Sequence, residues 1–158
     1  MSSYYDSIAK GYDELHGEEQ RRKAQIILEN LDVDKTDSLL DVGGGTGFAT
    51  EIFPCKRIVL EPSKLREKVK GDSVEGIAEN IPFGDCSFSI VVCLTAIHHF
   101  ENPKKSLEEM KRVSKKYVAV SLLIKAKEFE KLDKLIRKEL VGCKIFEDKH
   151  DRIYIFTT

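Results

Sequence analysis

A run of glycines after a short apolar stretch is the part of this sequence best suited to holding a ligand. Residues 39–47 read LLDVGGGTG, so an apolar run breaks into glycines. Glycine lets the backbone turn sharply and lets a ligand lie against bare main chain. A helix that starts beyond such a loop presents N–H groups and the positive end of its dipole, which suit a carboxylate or a phosphate. The run therefore predicts a binding loop between a first strand and a helix.

The spacing of these glycines separates the classes of ligand. A dinucleotide loop of the form G-x-G-x-x-G requires glycine or alanine at position 48, where this chain has Phe48. A Walker phosphate loop requires a Gly-Lys-Ser/Thr ending, and the sequence has none. The observed pattern is Asp-x-Gly-x-Gly-x-Gly, from Asp41 to Gly47. It disfavours NAD, nucleotide-sugar and P-loop binding.

Glu61 and the pair His98-His99 are further groups with chemical potential. Glu61 ends the second predicted strand, where a carboxylate can accept hydrogen bonds from both ribose hydroxyls. NAD sites use an acid at the same place, so Glu61 alone does not discriminate. His98 and His99 follow a buried run and are either general bases or a polar loop that ends a strand. The sequence assigns them no carboxylate partner, and both interpretations stay open.

Apolar runs that alternate with amphipathic stretches must position these groups. The predicted strands cover residues 38–42, 57–60, 74–77, 88–94, 117–124, 144–147 and 152–156. The predicted helices cover residues 18–31, 46–53, 63–70 and 128–141, and a further helix starts after Asn102-Pro103. The alternation predicts a single α/β domain over residues 1–158, doubly wound, with a mostly parallel seven-stranded sheet. A hairpin at the C-terminus adds one antiparallel strand.

Composition excludes several function classes. The chain has 26 Lys plus Arg against 27 Asp plus Glu, a net charge of −1, which predicts no nucleic-acid partner and no anionic-membrane partner. No apolar run approaches the roughly 20 residues of a membrane span, and the N-terminus lacks a signal-peptide core. The four cysteines have no metal-ligand spacing, so we expect no metal and reduced thiols in a cytoplasmic protein.

Several segments, in order and spacing over residues 4–124, together resemble class I S-adenosylmethionine-dependent methyltransferases of the small-molecule, type 11-like branch. They are the Asp41–Gly47 loop, Glu61-Pro62-Ser63, the segment GIAENIPF at 76–83, SFSIVV at 87–92, AIHHF at 96–100, and Tyr5-Asp6-x-x-Ala9-x-x-Tyr12-Asp13. Enzymes that methylate amino groups of nucleic acids and proteins usually carry an Asn/Asp-Pro-Pro-aromatic motif after strand four. Residues 94–97 read LTAI instead, which disfavours that branch.

The resemblance implies a Rossmann-like fold that binds S-adenosylmethionine and releases S-adenosylhomocysteine. The cofactor-binding residues that it implies are Tyr5, Tyr12, Asp41, Gly43, Gly44, Gly45, Gly47, Glu61, Pro62, Ile77, Ala78, Glu79 and Leu94. It places the methionine ammonium near Asp41 and the Gly43 carbonyl, and the methionine carboxylate against the N–H groups of the glycine loop. Either Tyr5 or Tyr12 would close over the ligand, although both side chains also suit packing on the core. Glu61 would hold the ribose, and the Ala78 N–H the adenine.

One position departs from the family pattern. Relatives carry an aspartate for the adenine amino group where this chain has Ile77, and Asp72 and Glu79 are the candidate replacements. The implied function is methyl transfer to a small-molecule acceptor; the alternative is a binding module without transferase activity. Candidates for a catalytic base are His98, His99 and Tyr12. Residues 1–20 are the predicted lid over the site, and the protein is expected to be a monomer or a homodimer.

Overall fold

A mixed seven-stranded sheet is the framework of the protein, which the computed structural model describes over residues 12–158. The strands are β1 (Ser38–Val42), β2 (Lys56–Leu60), β3 (Asp72–Val74), β4 (Phe88–Leu94), β5 (Ser114–Leu123), β6 (Lys144–Glu147) and β7 (Asp151–Thr157). The helices are α1 (Tyr12–Glu29), α2 (Pro103–Val113) and α3 (Phe129–Glu139). The strand order is β3-β2-β1-β4-β5-β7-β6, and β7 runs antiparallel to both of its neighbours. This confirms the predicted doubly wound, Rossmann-like fold and its single antiparallel strand.

Alternating side chains along the strands build one core on each face of the sheet. In β1, Leu39 packs toward one face while Leu40 and Val42 pack toward the other. Every residue of β4 is buried, as its continuously apolar sequence predicts for a central strand covered on both sides. Each face of the sheet is therefore buried under a core of its own.

Helices cover both cores. Helix α1 contributes Ala24 and Ile27 to the core that contains Leu39. Helices α2 and α3 cover the opposite face; the residues that they bury there are Leu107, Met110, Val113, Leu132 and Ile136. Helix α2 begins as predicted, with the Asn102 side chain accepting a hydrogen bond from the Lys105 N–H and Pro103 in the first helical position.

The third strand differs from its prediction. It occupies Asp72–Val74 instead of 74–77, because β2 ends at Leu60 and Leu60 is the partner of Val74. Beyond Val74 no strand remains for the chain to pair with, so residues 75–77 form a loop. Ile77, which the prediction placed at the end of a strand, is 49% exposed.

Smaller differences concern helix ends. Helix α1 begins at Tyr12, six residues before its predicted start. The two short predicted helices are single 3-10 turns at Ala49–Ile52 and Lys64–Lys68. The Ser63 side chain caps the second turn by accepting from the Leu65 N–H, as predicted. Within residues 12–158 no helix is both long and apolar enough to cross a lipid bilayer.

Candidate cofactor site

A cavity of about 590 Å³ opens where β1, β2 and β4 end. Gly43, Glu61 and Thr95 each follow one of these parallel strands, so all three lie at the same edge of the sheet. Strand order reverses between β1 and β4, and ligands of open α/β sheets bind in the crevice at such a point. The lining residues are Gly43, Gly45, Glu61, Pro62, Leu65, Gly76, Ile77, Ala78, Glu79, Leu94, Thr95, Ala96, His99, Phe100, Glu101 and Asn102.

The structure brings eight of the predicted cofactor residues together in this wall. They are Gly43, Gly45, Glu61, Pro62, Ile77, Ala78, Glu79 and Leu94. Asp41, Gly44 and Gly47 lie in or under the loop but do not line the cavity. Tyr5 and the Tyr12 side chain lie outside the described part of the chain, so their predicted contact with the cofactor stays a prediction.

Substitution of Gly43 or of Gly44 would strain the loop, for different reasons. Gly43 has a φ of +64°, and a Cβ there would lie 3.1 Å from the Ala96 Cβ. A Cβ on Gly44 would lie 2.6 Å from the carboxyl carbon of Asp41. The loop therefore approaches both the end of β4 and the carboxylate beneath it more closely than a larger residue allows.

The N–H groups of the four loop glycines already have partners within the protein. The Gly43 N–H donates to the Leu60 carbonyl over 2.8 Å, and the Gly47 N–H donates to the Gly44 carbonyl over 2.9 Å. The Gly44 N–H points to the Leu60 carbonyl at 3.4 Å, and the Gly45 N–H donates to Glu61. These contacts give no support to the expectation that the methionine carboxylate binds the glycine N–H groups.

Glu61 is held rigidly at the edge of the cavity. Its Oε1 accepts from the Gly45 N–H over 2.9 Å and its Oε2 accepts from the Ser63 N–H over 3.0 Å. The side chain is only 5% exposed, yet it lines the cavity. A carboxylate oxygen accepts more than one hydrogen bond, so both oxygens retain the capacity to accept from vicinal hydroxyls.

Asp41 lies beneath the glycine loop and braces it. Its Oδ2 accepts a 2.6 Å hydrogen bond from the Thr50 hydroxyl. Burial raises the pKa of Asp41 to about 6, an effect that the Thr50 hydrogen bond and the nearby Arg57 charge oppose and the Glu61 charge reinforces. The Asp41 carboxyl group therefore changes its protonation state just below neutral pH.

The segment after β3 supplies the opposite wall. Ile77, Ala78 and Glu79 line the cavity, whereas Asp72 does not. The Glu79 Oε2 accepts from the Asn102 N–H over 3.1 Å, which ties this segment to the loop before α2. Of the two candidate replacements for the family aspartate, only Glu79 lies where it can reach a ligand.

We expect Ile77→Asp to tighten S-adenosylhomocysteine binding about 5-fold. Because Ile77 lines the cavity and is 49% exposed, the new carboxylate would stay hydrated and add about one hydrogen bond, worth roughly 1 kcal/mol. For the same reason the melting temperature is expected to change little. Calorimetry on wild type, Ile77→Asp and the size-matched control Ile77→Leu measures the effect. Equal affinity in all three folded proteins would show that position 77 does not face the adenine.

The two histidines have different positions. His99 lines the cavity, and the ring of His98 lies 3.9 Å from it, centroid to centroid. Burial lowers the pKa of His98, and burial together with the neighbouring His98 lowers the pKa of His99 to about 4. Both rings are neutral at pH 7. His99 can contact an acceptor, but a group with this pKa is a weak base.

Sequence reasoning missed the side chains that hold the glycine loop from outside. Arg57 Nη1 donates to the Gly47 carbonyl over 2.6 Å and to the Thr50 hydroxyl over 2.9 Å. The signal was an arginine at the start of the predicted strand, directly before the apolar residues 58–60. Phe48, used above to disfavour dinucleotides, packs against α1, with the Arg21 guanidinium 4.2 Å from its ring centre.

Comparison with known proteins gives a consistent result. Residues 40–120 match the family described as methyltransferase domain. Demethylmenaquinone methyltransferase of Paenarthrobacter aurescens is 28% identical over 129 residues, which cover 73% of this chain and 51% of that protein. An uncharacterized methyltransferase of Bacillus subtilis is 33% identical, covering 57% of this chain and 41% of that protein. The chain spans about half the length of the curated relatives that it matches.

Solved structures agree on the fold. A SAM-dependent methyltransferase of Thermotoga maritima superposes with a TM-score of 0.76 at 20% sequence identity, and the match covers 99% of both chains.

Proposed function

Because the chain belongs to the class I S-adenosylmethionine-dependent methyltransferase family, we propose that it transfers the methyl group of this cofactor to a small-molecule acceptor. The observation that carries the proposal is the placement of Glu61. Its carboxylate is locked by the Gly45 and Ser63 N–H groups at the mouth of a cavity that the glycine loop and the 76–79 segment enclose. This arrangement suits a nucleoside whose ribose lies on the carboxylate.

The charge of the cavity supports S-adenosylmethionine over phosphate-bearing cofactors. Glu61, Glu79 and Glu101 line it, and the described residues contribute no lysine or arginine to the wall. Acidic walls repel the two phosphates of a dinucleotide, whereas the sulfonium and ammonium of S-adenosylmethionine are attracted. The acidic wall therefore disfavours a dinucleotide independently of Phe48.

The chemistry requires little from the protein beyond alignment. A lone pair of the acceptor attacks the methyl carbon in line with the carbon–sulfur bond, that bond breaks, and its electron pair stays on sulfur as S-adenosylhomocysteine forms. Proximity and orientation account for most of such an acceleration. A base is needed only for an acceptor that must lose a proton, and His99 is the candidate in the described wall. Tyr12 stays a candidate from the sequence alone.

A binding module without transferase activity is the second candidate. Ile77 in place of the family aspartate and the low pKa of His99 favour it, because the site then offers neither the usual adenine contact nor an effective base. Our proposal includes three further points: the acceptor is a small molecule, the protein is a monomer or a homodimer, and residues 1–20 form a lid over the site.

S-Adenosylhomocysteine is expected to raise the melting temperature of the protein, because a ligand that binds only the native state stabilises it by mass action. Thermal shift and calorimetry with S-adenosylmethionine, S-adenosylhomocysteine and NAD measure this, and NAD is expected to have no effect. A folded preparation that millimolar S-adenosylhomocysteine leaves unchanged would contradict cofactor binding. Radiolabelled methyl transfer to a metabolite extract then separates the enzyme from the binding module.

A further inference from the structure

A buried ion pair lies beside the cavity and has no part in the site described above. The Lys23 side chain is 4% exposed and that of Asp151 is fully buried, with Lys23 Nζ 3.1 Å from Asp151 Oδ1. The angles of this contact do not make a hydrogen bond, so the attraction is between charges. Lys23 comes from α1 and Asp151 is the first residue of β7.

Thr95 lies between the two charges and connects them by hydrogen bonds. Lys23 Nζ donates to the Thr95 hydroxyl over 2.7 Å, and that hydroxyl donates to Asp151 Oδ2 over 2.7 Å. Lys23 Nζ also donates to Gln20 Oε1 over 2.8 Å. Lys23, Thr95 and Asp151 are called the buried triad below.

The backbone of Thr95 has a conformation that threonine rarely adopts. Its φ is +51°, in the left-handed region, which is an outlier for a β-branched residue. The Ser121 side chain accepts from the Thr95 N–H over 2.8 Å, and the buried triad holds the Thr95 hydroxyl. Such strain persists only where the surroundings impose it, and it concentrates at functional sites.

The place of Thr95 in the fold connects this strain to the ligand. Thr95 follows β4 directly, at the point of the sheet where strand order reverses, and it lines the cavity between Leu94 and Ala96. A Cβ on Gly43 would lie 3.1 Å from the Ala96 Cβ, so the glycine loop packs against this turn. A change in the backbone at Thr95 therefore alters both the cavity wall and the surface on which the glycine loop packs.

Stability alone gives little reason for such a pair. Removing two charges from water is costly, and replacement of a buried ion pair by apolar residues of similar volume is often neutral or stabilising. We propose that Lys23 and Asp151 are positioning residues for S-adenosylmethionine binding, which hold Thr95 in its left-handed conformation and so shape the β4 side of the cavity. The proposal rests on the proposed function, and it also connects the cofactor to α1, whose first residues, 12–20, belong to the predicted lid.

The double variant Lys23→Met/Asp151→Val separates positioning from stability. We expect it to fold with a melting temperature close to that of wild type, while its Kd for S-adenosylhomocysteine, measured by calorimetry, rises about tenfold. The control is Lys116→Met/Asp37→Asn, which removes a 3.0 Å ion pair with a half-exposed lysine where β1 and β5 begin, at the end of the sheet away from the cavity. The control is expected to retain wild-type affinity.

Thr95 variants give a second, independent measurement. Thr95→Val retains the volume but not the hydroxyl and is expected to lose about tenfold in affinity, whereas Thr95→Ser retains the hydroxyl that Lys23 and Asp151 hold and is expected to bind more tightly than Thr95→Val. If the double variant does not fold, the difference in affinity between Thr95→Ser and Thr95→Val still tests whether the hydrogen bonds of the Thr95 hydroxyl shape the cavity. Wild-type affinity in the folded double variant, or in Thr95→Val, would overturn the positioning role alone. If the wild-type protein binds neither S-adenosylmethionine nor S-adenosylhomocysteine, the proposed function is overturned, and this inference with it.

Discussion

Glu61→Ala is expected to weaken S-adenosylhomocysteine binding about 10- to 150-fold, which corresponds to roughly 1.5–3 kcal/mol. The carboxylate would lose the charge-assisted hydrogen bonds to the ribose. It would also release the Gly45 N–H, which now donates to its Oε1, and so loosen the glycine loop. The fold should survive because Glu61 follows the end of β2 and lines the cavity instead of the apolar core.

Glu67→Ala is the matched control, since Glu67 is an exposed glutamate six residues further along the chain. It should bind like wild type. Glu61→Gln retains one carbonyl acceptor and is expected to fall between wild type and Glu61→Ala. Calorimetry with S-adenosylhomocysteine, with the melting temperature of each variant, measures the effect. Unchanged affinity in folded Glu61→Ala would place the ribose elsewhere.

The stability of the ligand-free protein is expected to carry a pH-dependent contribution from Asp41 of about 3 kcal/mol. Burial raises the pKa of Asp41 from 3.8 to about 6, so between these pH values the folded protein binds a proton that the unfolded chain has released. The contribution is therefore complete below pH 4 and is lost as the pH rises through 6. At pH 7 the buried charge costs stability.

Asp41→Asn isolates this contribution, because the variant has no carboxyl group at position 41. The free energy of unfolding of Asp41→Asn relative to wild type should increase from pH 4 to pH 7, as urea titrations at each pH measure. The comparison between the two proteins is necessary because other groups act in the opposite direction. The pKa of His99 is lowered, as are those of Asp37 and Glu109. The stability that these three groups contribute to the folded protein is therefore lost as the pH falls. A difference that is independent of pH would show that burial does not raise the pKa of Asp41.

Local patterns in the sequence were sufficient for the architecture. The continuously apolar β4 and the alternating helices identified the doubly wound sheet, because side-chain period and burial follow directly from backbone geometry. The Asp41–Gly47 spacing located the loop, because close backbone approach requires glycine. The order and spacing of the motifs identified the family, and eight of the cofactor-binding residues that they implied line the cavity.

Tertiary structure decided what depends on partners distant in sequence. The register of β3 followed from where β2 ends, and it left Ile77 in an exposed loop instead of a strand. Thr95 contacts Lys23, 72 residues away, and Asp151, 56 residues away. No local pattern encodes such pairs, because a buried charge is stable only beside the group that folding brings to it. The sequence alone thus determined the sheet and its ligand loop, while packing determined which side chains hold the cavity in shape.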